Sequence, residues 1–219
     1  MDDISENLKI IRARMAALVA EYQRAPASVR LVAVSKMQPL EKIEAALAAG
    51  QRVFGENRVQ EALGRWGALK ELYPDIVLHL IGPLQTNKVK DAVALFDVIE
   101  TVDRAELVQA LSKEMGKQGR TLPCLIQVNT GEEDQKAGVA PQDLPELLRV
   151  CREVGLLIEG LMCIPPAAES PALHFAFLRK LAAENGLSQL SMGMSGDYEK
   201  AIPLGATYVR IGTGVFGQR

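Results

Sequence analysis

Short apolar runs alternate with amphipathic stretches along nearly the whole chain. Residues 4–24 open the pattern: Ile4, Leu8, Ile11, Met15, Leu18 and Val19 recur at helical spacing and predict a helix with one apolar stripe. Asp3 or Ser5 is placed to cap it, and Pro26 lies just past its end. A strand–helix rhythm follows. LVAVS (31–35), RVFGE (52–56), IVLHLIG (76–82), DVIETV (97–102), PCLIQVN (123–129), LIEGLMCIP (157–165), QLSMG (189–193) and TYVRIG (207–212) read as strands. Helices are predicted between them at 39–50, 57–72 (opened by Asn57), 86–96, 103–119, 141–155, 170–186 and 196–206.

The strands are unbroken apolar runs, which indicates parallel strands covered on both faces. About eight βα units predict a single-domain (β/α)8 TIM-type barrel over residues 1–219, with an N-terminal helix within residues 1–25 packed on it. An open doubly wound sheet shares the rhythm and is the alternative. Leu161, Met162 and Ile164 read as barrel core, and Trp66 as part of a helix face.

Composition narrows the function. The net charge is −2 and the basic residues are dispersed, so nothing favours nucleic acid or an anionic membrane. Cys124, Cys151 and Cys163 form no CxxC pair and fit free thiols in a reducing cytoplasm. His79 and His174 stand apart from each other and from the cysteines, without metal-ligand spacing. The N-terminal stretch lacks the basic start and apolar run of a signal peptide, and no apolar run approaches the roughly 20 residues of a membrane span.

In a parallel βα barrel, functional groups gather at the carboxyl ends of the strands. Those ends carry Ser35 and Lys36, Glu56 and Asn57, His79 with Gly82, Asn129, Ser191 with Ser195, and Arg210 with Gly212 and Thr213. Lys36 reads either as a solvated charge or as a lysine that attacks an aldehyde, since partial burial makes the free amine more available. Ser195 and the Gly196 amide, at the start of a helix, can hold an anion; Ser195 as a simple helix cap is the other reading, and Asp197 would repel a nearby phosphate. Gly212, Thr213 and Gly214 form a second candidate anion loop, and the last two strands are where such barrels commonly bind phosphate. Arg210 lies inside an apolar strand and needs a partner: an ion pair with a glutamate such as Glu56, or a ligand ring nitrogen. Lys136 lies in the loop after the fifth strand on the same side, where a solvated charge is the plain reading; a second attachment point for an aldehyde at Lys136 or at Lys88, which closes the HLIGPLQTNK block, is left open by the sequence.

The blocks VAVSK (32–36), FGENRVQE (54–61), HLIGPLQTNK (79–88), LSMGMSGDYEKAI (190–202) and VRIGTGVFG (209–217) resemble, in order, the pyridoxal phosphate homeostasis proteins, also called the proline synthase co-transcribed family. The resemblance implies a barrel similar to the N-terminal domain of alanine racemase. It implies pyridoxal 5'-phosphate, the vitamin B6 cofactor, held as a Schiff base on Lys36. The implied phosphate contacts fall on Ser195, Gly196, Gly212 and Thr213, and the partner of the pyridine nitrogen on Arg210. Asn57, His79 and Ser191 match family blocks and join the cofactor-binding set. The GTG at 212–214 departs from the family pattern by a glycine where a larger residue is expected, which leaves the backbone and Thr213 contacts possible.

The function so implied is cytoplasmic buffering or carrying of pyridoxal phosphate by a monomer, with apo pyridoxal-phosphate enzymes as partners and without robust turnover. The alternative is an amino-acid racemase or other pyridoxal-phosphate enzyme using Lys36 as base. A cofactor-free Schiff-base aldolase and a regulatory sensor of bound cofactor are further rivals.

Overall fold

The computed structural model describes residues 3–218; Met1, Asp2 and Arg219 of the predicted domain lie outside the described residues. Helix α1 (Ile4–Glu21) comes first, and the Asp3 carboxylate caps it by accepting from Glu6 N at 3.1 Å. The apolar stripe predicted for it is buried.

Eight parallel strands follow: β1 (Arg30–Val34), β2 (Val53–Glu56), β3 (Val77–Leu80), β4 (Val98–Val102), β5 (Cys124–Gln127), β6 (Ile158–Met162), β7 (Gln189–Met194) and β8 (Tyr208–Ile211). Each pairs with the next, and β1 closes on β8 through the register Arg30–Tyr208 to Ala33–Ile211. The closed barrel excludes the open doubly wound alternative. Helices α2 (Leu40–Ala48), α3 (Val59–Leu72), α4 (Val89–Leu95), α5 (Ala105–Gln118), α6 (Leu144–Glu153), α7 (Pro171–Glu184) and α8 (Tyr198–Ala201) connect the strands, and α9 (Thr213–Phe216) follows β8. α1 packs on α2 and α9, and so braces the side of the barrel where β1 meets β8.

Several boundaries differ from those the apolar pattern predicts. The 86–96 and 141–155 stretches each open with a 3-10 turn, at Thr86–Lys88 and Pro141–Asp143. α3 starts with Arg58 in the capping position, so Asn57 is not its cap. The helix expected over 196–206 is only α8. α9 lies within a glycine-rich segment that reads as a loop, because its buried Val215 and Phe216 are too few to show periodicity. Ile164 is 38% exposed rather than core, whereas Leu161 and Met162 are buried. Trp66 is fully buried and donates to Glu56 Oε1 at 3.0 Å.

Candidate functional site

β1 sets the position of Lys36. Side chains alternate across a strand. Ser35 Oγ donates to Glu56 Oε1 at 2.7 Å, and the next residue, Lys36, lines a cavity at the barrel mouth. The turn behind it is clamped. Gln38 N donates to Ser35 O at 3.0 Å, and Arg65 bridges Gln38 O at 2.7 Å and Glu56 Oε2 at 3.3 Å. Within the turn, Met37 holds φ +59°, a left-handed conformation that non-glycine residues seldom adopt. Glu56 therefore serves the Lys36 turn. Burial pushes its carboxyl up, against the opposing hydrogen bonds from Trp66 and Ser35 and the charge of Arg65.

The cavity has a volume of about 320 Å3. Its lining includes Lys36, Asn57, Ser195, Gly196, Arg210 and Thr213, together with Gly212. Seven of the nine residues expected to hold the cofactor thus meet in one place. The loops after β7 and β8 touch: Ser195 Oγ accepts from Gly214 N at 3.3 Å. Ser195 does not cap α8. Asp197 occupies that position, and its carboxylate accepts from Met194 N at 2.5 Å, turned onto its own loop.

His79 and Ser191 are placed differently. Neither lines the cavity; both lie in the barrel interior beneath Arg210. His79 Nδ1 meets Glu100 Oε1 at 2.6 Å, and Ser191 Oγ donates to Glu100 Oε2 at 2.5 Å. Arg210 Nη1 donates to Ser191 Oγ at 2.6 Å and Nη2 to Cys163 O at 2.8 Å. Glu100, not Glu56, is the carboxylate nearest Arg210, at 4.0 Å. Burial would push the Glu100 carboxyl up, but His79, Arg210 and Ser191 together outweigh it and hold the group below its usual range. Glu100 escaped the sequence reading, although a lone charge inside DVIETV is the same signal that marks Arg210 inside YVRIG.

The remaining polar candidates have local duties. Asn129 closes its own turn through Glu133 O at 2.9 Å. Lys136 pairs with Glu133 at 2.5 Å and donates to Pro165 O at 3.2 Å. Lys88 lines a neighbouring cavity, not that of Lys36.

Residues 2–219 match the alanine racemase N-terminal domain family. The pyridoxal phosphate homeostasis protein of Pseudomonas aeruginosa is 44% identical over 225 residues, covering 100% of this chain and 97% of its own. That of Escherichia coli K12 is 38% identical and covers 100% and 98%. The chain belongs to the pyridoxal phosphate homeostasis protein family. Among solved structures, PipY of Synechococcus elongatus superposes with TM-score 0.87 without PLP, at 40% identity, covering 98% of this chain and 100% of its own. The same protein with PLP bound gives 0.85 at 39% identity, with the same coverage. An alanine racemase of Clostridium difficile shares the fold at TM-score 0.75 and 15% identity, and this chain, covered in full, corresponds to 57% of it.

Proposed function

We propose that this chain holds pyridoxal 5'-phosphate through Lys36 and serves its cellular homeostasis as a buffer or carrier. One observation carries the reading: a cavity of about 320 Å3, a size suited to a small cofactor, gathers one amine, one guanidinium and a hydroxyl-and-glycine cradle. That donor set fits the cofactor's aldehyde, ring nitrogen and phosphate. Two findings support it: curated relatives bear the homeostasis name, and a neighbour 39% identical was solved with PLP bound.

Pyridoxal phosphate supplies an aldehyde that condenses with a primary amine. Lys36 would be that amine. Ser195, Gly196, Gly212 and Thr213 would bind the phosphate, and Asn57 would wall the ring's side of the cavity. Arg210, fixed from behind by Ser191 and Cys163 O, would face the ring nitrogen. A guanidinium there disfavours a second positive charge on the ring, which weakens it as an electron sink. Holding is therefore better served than carbanion chemistry. A racemase would need a second proton carrier facing Lys36, whereas among the described residues the titratable side chains in the lining are Lys36 and Arg210. Apo pyridoxal-phosphate enzymes are the proposed recipients, and a monomer the proposed form.

The test is the visible spectrum of purified protein before and after borohydride, with mass mapping of the reduced peptide. A yellow protein carrying pyridoxyl on Lys36 is expected, and Lys36→Ala should abolish both. A protein that stays colourless in added pyridoxal phosphate, with Lys36 unmodified, overturns the reading.

A further inference from the structure

Two basic residues of the family blocks have no part in the Lys36 cavity: Arg58 in FGENRVQE and Lys88 in HLIGPLQTNK. The fold brings them together. The loops after β2 and β3 enclose a second cavity of about 510 Å3, lined by Arg58, Gln60, Gln85 and Lys88, with Asn57 and Leu84 among its walls. Asn57 lines both cavities, so the two compartments meet at this residue.

The second cavity is built rather than incidental. A Cβ on Gly82 would lie 2.2 Å from Asn57 O, so the two loops are in backbone contact that only glycine permits. Thr101 Oγ1 fixes Gly82 O at 2.8 Å, and Arg104 fixes Leu84 O at 2.9 Å. The lining holds two cations, three carboxamides and no carboxylate. Arg58 is 78% exposed and lies 3.6 Å from Glu61, a separation and exposure that leave its charge only loosely neutralised. Lys88 is half-buried and makes no ion pair among the described residues. A half-buried lysine beside a second cation, in a lining without a carboxylate, favours an anion.

We propose that this cavity is a carboxylate subsite, in which Lys88, assisted by Arg58, receives the acid group of an α-amino acid whose amine enters the Lys36 cavity past Asn57. The proposal rests on the pyridoxal phosphate reading and names the exchange partner of that site. The amine and carboxylate of an α-amino acid share one carbon, which suits two compartments that meet at one residue. In the exchange, the amino-acid nitrogen replaces the Lys36 nitrogen in the double bond to the aldehyde carbon, and the two protons its amine gives up end on the departing lysine amine; no oxidant or reductant is needed.

The test uses cofactor-loaded protein titrated with alanine and with alaninamide, which keeps the amine and lacks the negative charge. Loss of the Lys36 linkage is read from the visible band and from borohydride trapping. Lys88→Gln should lower the wild-type preference for alanine over alaninamide roughly three- to tenfold, as expected for one charged hydrogen bond in a half-open site. Arg58→Gln should lower it less, and Lys88→Arg should retain it. An unchanged preference in Lys88→Gln overturns the subsite while leaving the cofactor reading intact. Wild-type protein that never loads Lys36 overturns both. A defect confined to delivery into an apo-enzyme, with amino-acid exchange normal, also overturns it and gives the basic cavity to an acidic protein segment.

Discussion

Arg210 donates to Ser191 Oγ at 2.6 Å, and that hydroxyl passes its own proton's hydrogen bond to Glu100 at 2.5 Å. Ser191 therefore couples a guanidinium to a carboxylate that lies 4.0 Å away, inside a barrel where aliphatic side chains are the rule. Glu100→Gln keeps the volume but strips Arg210 of its counter-charge. The expected cost is about 3 kcal/mol of stability, the scale for breaking a buried pair. Urea denaturation measures it. Weaker cofactor uptake should accompany it, because the Ser191 hydroxyl that holds Arg210 loses its charged acceptor.

The two buried glutamates should give opposite pH signatures. Glu100 is held below the usual carboxylate range, so its contribution is present above the unfolded value of about 4.3 and fades as pH falls through the folded one. Glu56 is raised, so its ionisation costs stability at neutral pH, and that cost fades in acid. As pH rises through the acid range to about 5, Glu100→Gln should lose ground to wild type, and as pH rises above about 4, Glu56→Gln should gain it. Parallel slopes for the two variants would contradict this account.

Gly82 and two helical glycines form a matched contrast. Gly82→Ala places a Cβ against the Asn57 backbone, which cannot move aside as a flexible side chain does. We expect a loss of about 1–3 kcal/mol and a poorer cofactor titration. Gly64 and Gly67 lie in α3 with nothing within 4 Å of an added Cβ. Alanine there should raise stability by about 0.5–1 kcal/mol each, since it restricts the unfolded chain. Thermal melts separate the two classes.

Ser195→Ala removes a hydroxyl that lines the Lys36 cavity and accepts from Gly214 N at 3.3 Å. Equilibrium dialysis should show about tenfold weaker pyridoxal phosphate binding, the scale of one hydrogen bond to a charged group, with the thermal midpoint little changed. Undiminished binding would remove Ser195 from the phosphate site.

All three thiols are buried. Burial pushes Cys163 up to about 12 and Cys151 up to about 11, and raises Cys124 further. Iodoacetamide at mildly alkaline pH should label none of them in native protein and all of them in denaturant. Rapid native labelling of Cys163 would mean that the barrel interior opens near Arg210.

Much of the site was legible because barrel geometry converts strand order into place. Once the strands are parallel and closed, Lys36, Asn57, Ser195 and Thr213 must face one mouth, whatever the details of packing. Two helix-capping readings failed for local reasons. Ser195 resembles a helix cap in sequence, but Asp197 takes that position. Asn57 resembles one too, but α3 begins two residues later.

The sequence by itself determined the architecture and the mouth. Apolar runs specify buried parallel strands, their number specifies closure, and the residues just past them specify the chemistry on offer. Only the tertiary structure decided which buried charges belong together. Arg210 meets Glu100 through Ser191, a residue 91 positions from that glutamate, while Glu56 turns away to hold the Lys36 loop. Such pairings depend on which side chains face each other across the closed barrel. That is a matter of register and closure among distant strands, and no local periodicity encodes it.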